Sequence, residues 1–167
     1  MGEMTRPLWG GEWEAAIADA RTGFALNPNS AFVVGMLGCD LYVGGYREEA
    51  LVRLNQAMRL SPHDPLNWLW QLWRGNAQFY GRDFTASLVT LHEVVRLRRA
   101  FRQPHQMIAA SLAHLGRLQE ARAALKRAAP GFPEQSQHYI EERPHWIRPE
   151  DYALRVEGLR LAAEAPP

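Results

Sequence analysis

The 167 residues include 47% hydrophobic and 22% charged side chains, the balance of a folded globular chain and not of a disordered one. A formal charge of +1 gives no global pull toward nucleic acid or a membrane surface, and no apolar run approaches the roughly 18 residues that span a bilayer. The single cysteine, Cys39, excludes an intrachain disulfide and a cysteine-based zinc site.

Residues 1–10 lack the apolar core of a secretory signal and are expected to be a flexible N-terminus, which makes the cytoplasm the expected location. The basic residues are arginines except for Lys126, the bias of a GC-rich, bacterial genome. The first helical stretch is WEAAIADARTGFALNP, ending at Pro28 and preceded by Gly10 and Gly11. The apolar run 31–43 follows, with Asn29 and Ser30 as candidate N-caps. A glycine turn at 44–47 leads into a helix ending at Pro62, in which Ala50, Leu51, Leu54, Ala57 and Met58 recur at helical spacing.

Residues 65–80 form the next predicted helix, capped from within Ser61 to Asp64. Trp70 and Trp73 are three apart there and share a core face. Beyond the turn at 81–83 come a helix from Phe84, a helix over 104–115, the turn at 116–118 and a helix ending near Pro133. Residues 134–142 are expected as a short helix and 144–149 as an extended linker. Pro149, Glu150 and Asp151 then open a last helix, with proline and acids where the helix dipole favours them.

Four alanines hold the same place in these stretches: Ala16, Ala50, Ala86 and Ala121, spaced 34, 36 and 35 residues apart. A small residue there lets two antiparallel helices approach closely, glycine permits the tight turn before the second helix, and proline ends it. The pattern resembles the tetratricopeptide repeat family. The match is best at 29–62, through Leu37, Gly38, Leu41, Gly45, Tyr46, Ala50, Leu54, Ala57 and Pro62. The third repeat is looser, with Arg74 where a small residue is expected, and the fourth returns to form with Ala109, Leu112, Gly116, Ala121, Leu125, Ala128 and Pro133.

The resemblance implies an all-α fold of antiparallel hairpins stacked in a right-handed superhelix over residues 11–133. It divides into a half repeat 11–28 and repeats 29–62, 65–100 and 103–133. A C-terminal extension, 134–167, carries a capping helix at 150–163 whose Tyr152, Leu154, Val156, Leu159 and Leu161 would cover the end of the stack. A narrower resemblance, through LNPNSAF, RLSPHDP and PEDYALRVEGLRLA, is to the C-terminal repeat region of bacterial class III adenylate or guanylate cyclases and of related winged-helix regulators. It implies signalling, as a regulatory or assembly segment.

Arrangements that reactions require are missing from the sequence. It contains no phosphate-binding glycine loop, dinucleotide fingerprint or Gly-x-Ser-x-Gly elbow. None of His63, His92, His105, His114, His138 and His145 pairs at i, i+4; His138 and His145, near Glu141 and Glu142, come nearest to a metal site and are read as surface residues. Cys39 is read as a small buried residue. No catalytic residue, metal ligand or cofactor is assigned, and the chain is expected not to be an enzyme. Arg96, Arg98, Arg99 and Arg102 form the one notable charge cluster and are read as a helix terminus and solvated surface, with an acidic protein ahead of nucleic acid as partner.

By family pattern the inner helices line a groove with Phe32, Gly35, Cys39, Tyr42, Trp68, Gln71, Gly75, Gln78, Gln106, Ala110 and His114. That surface is apolar and amide-rich and lacks the cations of a carboxylate clamp. An apolar or amphipathic protein segment held by Trp68, Phe32 and Tyr42 is the implied ligand; the chain's own C-terminal helix could equally fill the groove. The first helix lacks a hairpin partner. Its face with Trp13, Ile17 and Phe24 is therefore expected either to be covered by a second copy, making a homodimer, or to adjoin more chain.

Overall fold

Described by a computed structural model, residues 12–99, 101–127 and 143–164 form helices and the turns that join them, with no strand among them. The helices are α1 (Trp13–Leu26), α2 (Ala31–Val43), α3 (Arg47–Leu60), α4 (Asn67–Tyr80), α5 (Phe84–Leu97), α6 (Arg102–His114), α7 (Leu118–Arg127) and α8 (Pro149–Glu164). The expected N-terminal tail, the short helix at 134–142, and Ala128 and Pro133 lie outside the described residues.

Helix starts follow local chemistry. Ser30 Oγ accepts the Val33 N–H at 3.4 Å and caps α2, and Asp83 Oδ1 accepts the Ala86 N–H at 3.0 Å and caps α5. Asp64 Oδ1 accepts the Leu66 N–H at 2.8 Å, forming a turn that delays α4 to Asn67, two residues later than the sequence suggests. Conversely α6 begins at Arg102, before Pro104, whose missing N–H costs little in a first turn.

Three hairpins, α2–α3, α4–α5 and α6–α7, stack in order. Helices α2, α4 and α6 also touch one another in sequence and form the inner layer. All three hairpins turn the same way. The second residue after the inner helix takes a left-handed conformation, at Gly45 (φ 93°), Arg82 (φ 64°) and Gly116 (φ 74°). The next N–H reaches back five residues, from Tyr46 to Leu41, Asp83 to Gln78 and Arg117 to Leu112, at 2.8, 2.9 and 2.9 Å.

In the middle hairpin the left-handed place therefore falls to Arg82 and not to Gly81, one residue later than the glycine implies. Left-handed geometry costs an L-residue roughly 1–2 kcal/mol. Arg82→Gly should accordingly raise stability by about 0.5–1 kcal/mol after glycine's own entropy is deducted, measured as a higher urea midpoint with an unchanged slope.

The same offset runs through the whole hairpin. A Cβ at Gly38 would lie 2.7 Å from Leu54 Cγ, and one at Gly75 would lie 2.7 Å from Leu91 Cδ2, so Gly75 is the small residue that lets α4 meet α5. Arg74, taken for a departure from the repeat, stands one place before it. The residue matching Ala50 and Ala121 is likewise Ser87 and not Ala86; all three are fully buried, and the Ser87 hydroxyl is satisfied by donating to the Gly75 carbonyl at 2.9 Å. The true spacings are 37 and 34 residues: Gly45 to Arg82 to Gly116, and Ala50 to Ser87 to Ala121. Two more residues in the loop before α4 and one more in α4 itself produce the difference.

Candidate functional site

Correcting the register changes which side chains line the inner layer. Counting from the hairpin turns, Cys39 corresponds to Asn76 and Ala110, Gly35 to Leu72 and Gln106, and Val43 to Tyr80 and His114. Gln71 and Gln78, expected to line the groove, therefore stand off that line, Gln71 one place before Leu72 and Gln78 two places before Tyr80. Gln78 is engaged within its own hairpin, its Oε1 accepting from Thr90 Oγ1 of α5 at 2.8 Å. Asn76 replaces them as the buried amide of α4.

Residues 143–164 lie along this inner line. α8 packs on α6 and α7, and a Cβ at Gly158 would come within 2.9 Å of both Ala110 Cβ and His114 Nε2. His114 Nε2 lies 2.8 Å from the Leu154 carbonyl oxygen, and its ring stacks on Phe84 with centroids 4.7 Å apart. Arg155, 4% exposed, donates from Nη2 to Gln106 Oε1 at 2.6 Å and meets the Tyr80 hydroxyl. Asp151 pairs with Arg47 at the start of α3. Before the helix, Trp146 and Ile147 sit over Tyr42, Val43 and Tyr80, and Trp13 Nε1 of α1 donates to the Trp146 carbonyl at 3.2 Å.

Of the alternatives that the sequence left open for the groove, the structure thus shows the chain's own C-terminal segment. The stretch expected to be extended, 144–149, is instead a turn closed by the Ile147 N–H donating to the Pro144 carbonyl at 2.9 Å, with α8 already begun at Pro149, and it meets the first hairpin there. Leu154, Val156 and Leu159 are buried as a capping helix requires, Tyr152 is half-buried, and Leu161 is 38% exposed.

The expected ligand residues accordingly divide. Tyr42, Gln106 and His114 are engaged with the C-terminal segment. Cys39 is buried among Leu37, Leu41 and Tyr42, and burial, with Asp40 beside it, pushes its thiol well above the ordinary range. It should resist alkylation in the folded chain at pH 7.5 and react only on unfolding, a contrast that a thiol reagent with and without urea would show.

Phe32 and Trp68 remain accessible, at the N-terminal ends of α2 and α4. Phe32 is 48% exposed, with its ring edge-on to Trp70 at 6.3 Å. Trp68 is half-buried, edge-on to Phe101 at 5.5 Å, with the Arg98 guanidinium 5.1 Å above its ring. Arg98 thus serves a cation–π contact, and its neighbour Arg96 pairs with Glu93 at 2.9 Å.

The three residues assigned to self-association are occupied within the chain. Ile17 is 4% exposed against α2. Trp13 holds Trp146, and Phe24 lies under the Arg53 guanidinium, 4.4 Å from its ring centre. Trp13 and Phe24 remain half-buried on this face.

Against known structures, this arrangement has clear counterparts. The chain superposes on the structure described as MamA 41-end from Desulfovibrio magneticus RS-1 with a TM-score of 0.69 at 17% identity, covering 97% of this chain and 90% of that one. It also matches a TPR protein with an unusual peptide-binding site, YrrB, with a TM-score of 0.60 at 18% identity over 93% and 79% of the two chains. The chain has the tetratricopeptide-repeat fold. The stacked helical hairpins of that fold are what the repeat spacing and the resemblance implied. No protein-family model and no curated protein matches the sequence, and the resemblance to the repeat region of nucleotide cyclases finds no support in these comparisons. No helix among the described residues is long and apolar enough to cross a membrane.

Proposed function

We propose that this tetratricopeptide-fold chain is a non-enzymatic interaction module that holds an apolar or amphipathic segment of another protein, with Phe32 and Trp68 as its open anchors. The observation that carries this reading is an exposed Phe32 and a half-buried Trp68 at the N-terminal ends of two inner helices. Buried aromatic anchors dominate the energetics of such contacts. A peptide-binding site on the similar TPR protein YrrB is consistent with it. A cytoplasmic setting belongs to the same reading, supported by the lone buried cysteine.

The test is photo-crosslinking from positions 32 and 68 in the native cell, paired with the double variant Phe32→Ala/Trp68→Ala. Loss of about 2 kcal/mol or more, at least a thirtyfold weakening of partner capture, is expected, with helical content unchanged. Undiminished capture by the double variant would refute the assignment. Association of two copies through α1 is the weaker alternative, since Trp13, Ile17 and Phe24 are engaged within the chain; light scattering that gives a dimer abolished by Phe24→Glu would restore it.

A further inference from the structure

Charged side chains are seldom fully buried unless they are paired or hydrogen-bonded, because removing them from water is costly. Arg155 is such a side chain, and what surrounds it is polar on several sides. Gln106 Oε1 accepts from its Nη2 at 2.6 Å, and the Tyr80 hydroxyl also accepts from it. Tyr42 is near enough for the guanidinium to favour its ionised form against the stronger effect of burial. These three residues come from α6, α4 and α2, so every inner helix contributes one group. Beside them Asn76, 1% exposed, hydrogen-bonds Tyr42, while its Oδ1 accepts nothing among the described residues. Close by, Leu154 and Leu159 are buried in the apolar cluster of α6 and α7, and Gly158 allows backbone contact at Ala110.

We propose that Tyr42, Asn76, Tyr80 and Gln106 form a guanidinium-recognising pocket of the groove, filled in cis by Arg155, and that the partner segment is a helix bearing Leu-Arg in the register of Leu154 and Arg155 with a small residue in that of Gly158. This rests on the reading of the chain as a groove-binding module and names the chemistry of its ligand. The partner helix displaces α8 because both need the same pocket, the same aliphatic shelf and the same close approach to Ala110. Two helices compete for one seat.

The probe is a fluorescent peptide spanning residues 146–164, together with its Arg155→Ala counterpart, titrated into the full chain. Gly158→Leu in the protein forces a side chain against Ala110 and His114 and lifts α8, while leaving the pocket residues unchanged; Asp151→Arg, facing Arg47, is a second way to lift it. Hydrogen exchange at 149–164 reports whether α8 has left. Either lifted variant should bind the unmodified peptide at least tenfold tighter than the unaltered chain does. The Arg155→Ala peptide should lose at least tenfold, and Gln106→Leu in the lifted background should lose a comparable factor.

Equal binding of the two peptides, or α8 amides that stay protected in both variants, would overturn the pocket. Those outcomes are separable from failure of the module reading, which shows instead as partner capture indifferent to Phe32 and Trp68.

Discussion

Trp70→Ala is expected to lower the unfolding free energy by about 3–5 kcal/mol, the range for deleting a large aromatic from a packed core. Trp70 is 0% exposed and sits with Val34, Leu54 and Ala57 at the meeting of the first two hairpins, its ring 5.2 Å from that of Trp73. In a stack of repeats, stability is carried by interfaces between neighbours, so the loss acts on both hairpins at once. Trp70 Nε1 has no acceptor among the described residues, which gives a second, sharper expectation. Trp70→Phe keeps most of the apolar volume and removes an unsatisfied donor, so it should cost less than about 1.5 kcal/mol. Urea titration of both variants checks the pair; equal losses would mean the indole is not what joins the hairpins.

Asp40→Asn should stabilise the chain at pH 8 by on the order of 4 kcal/mol, at 1.36 kcal/mol for each unit of altered proton affinity. Asp40 of α2 is 5% exposed, and burial, with Asp19 nearby, raises its carboxyl from 3.8 to about 7. The folded state then holds its proton more tightly than the unfolded state does. Its contribution to stability is fully present below pH 4, falls as pH rises from 4 to 7, and stays lost above 7. Burial also raises the carboxyl of Asp151, although Arg47 opposes the rise, so other groups tilt the whole profile. The specific result is the difference between the two chains: absent near pH 4, growing to pH 7 and flat beyond. Parallel profiles for the parent and Asp40→Asn would refute it.

The repeat could be read from the sequence because its signals are local: a turn glycine, a small residue and apolar spacing within one hairpin. Its register in the middle hairpin could not, since Ala86 and Ser87 are adjacent small residues and both fit the pattern. Only the contact of Gly75 with Leu91 and the left-handed geometry at Arg82 distinguish them. That one-residue step hid Asn76 and promoted Gln71 and Gln78. A cue was present, because the predicted inner helix of the middle hairpin runs longer than that of the first.

The cover over the groove was harder to see. Arg155 meets Gln106 across 49 residues and Trp13 meets Trp146 across 133, and no periodicity encodes a contact at such separation. Gln106 read as a groove amide for the same reason: its partner is charged, remote and on a helix that pattern alone assigns only to the end of the stack. The buried state of Asp40 was likewise invisible, because an acid within an apolar run looks identical whether it faces water or α1.

The hydrogen bond from Trp13 to the Trp146 carbonyl has a mechanical consequence. An open solenoid held together only by adjacent units behaves as a soft spring that lengthens when its extremities are drawn apart. Here the tail returns from the far end to clip the near one, so the coil is shut like a clasp. Tension applied across the stack must first unfasten that clip, and only then can the coil yield turn by turn.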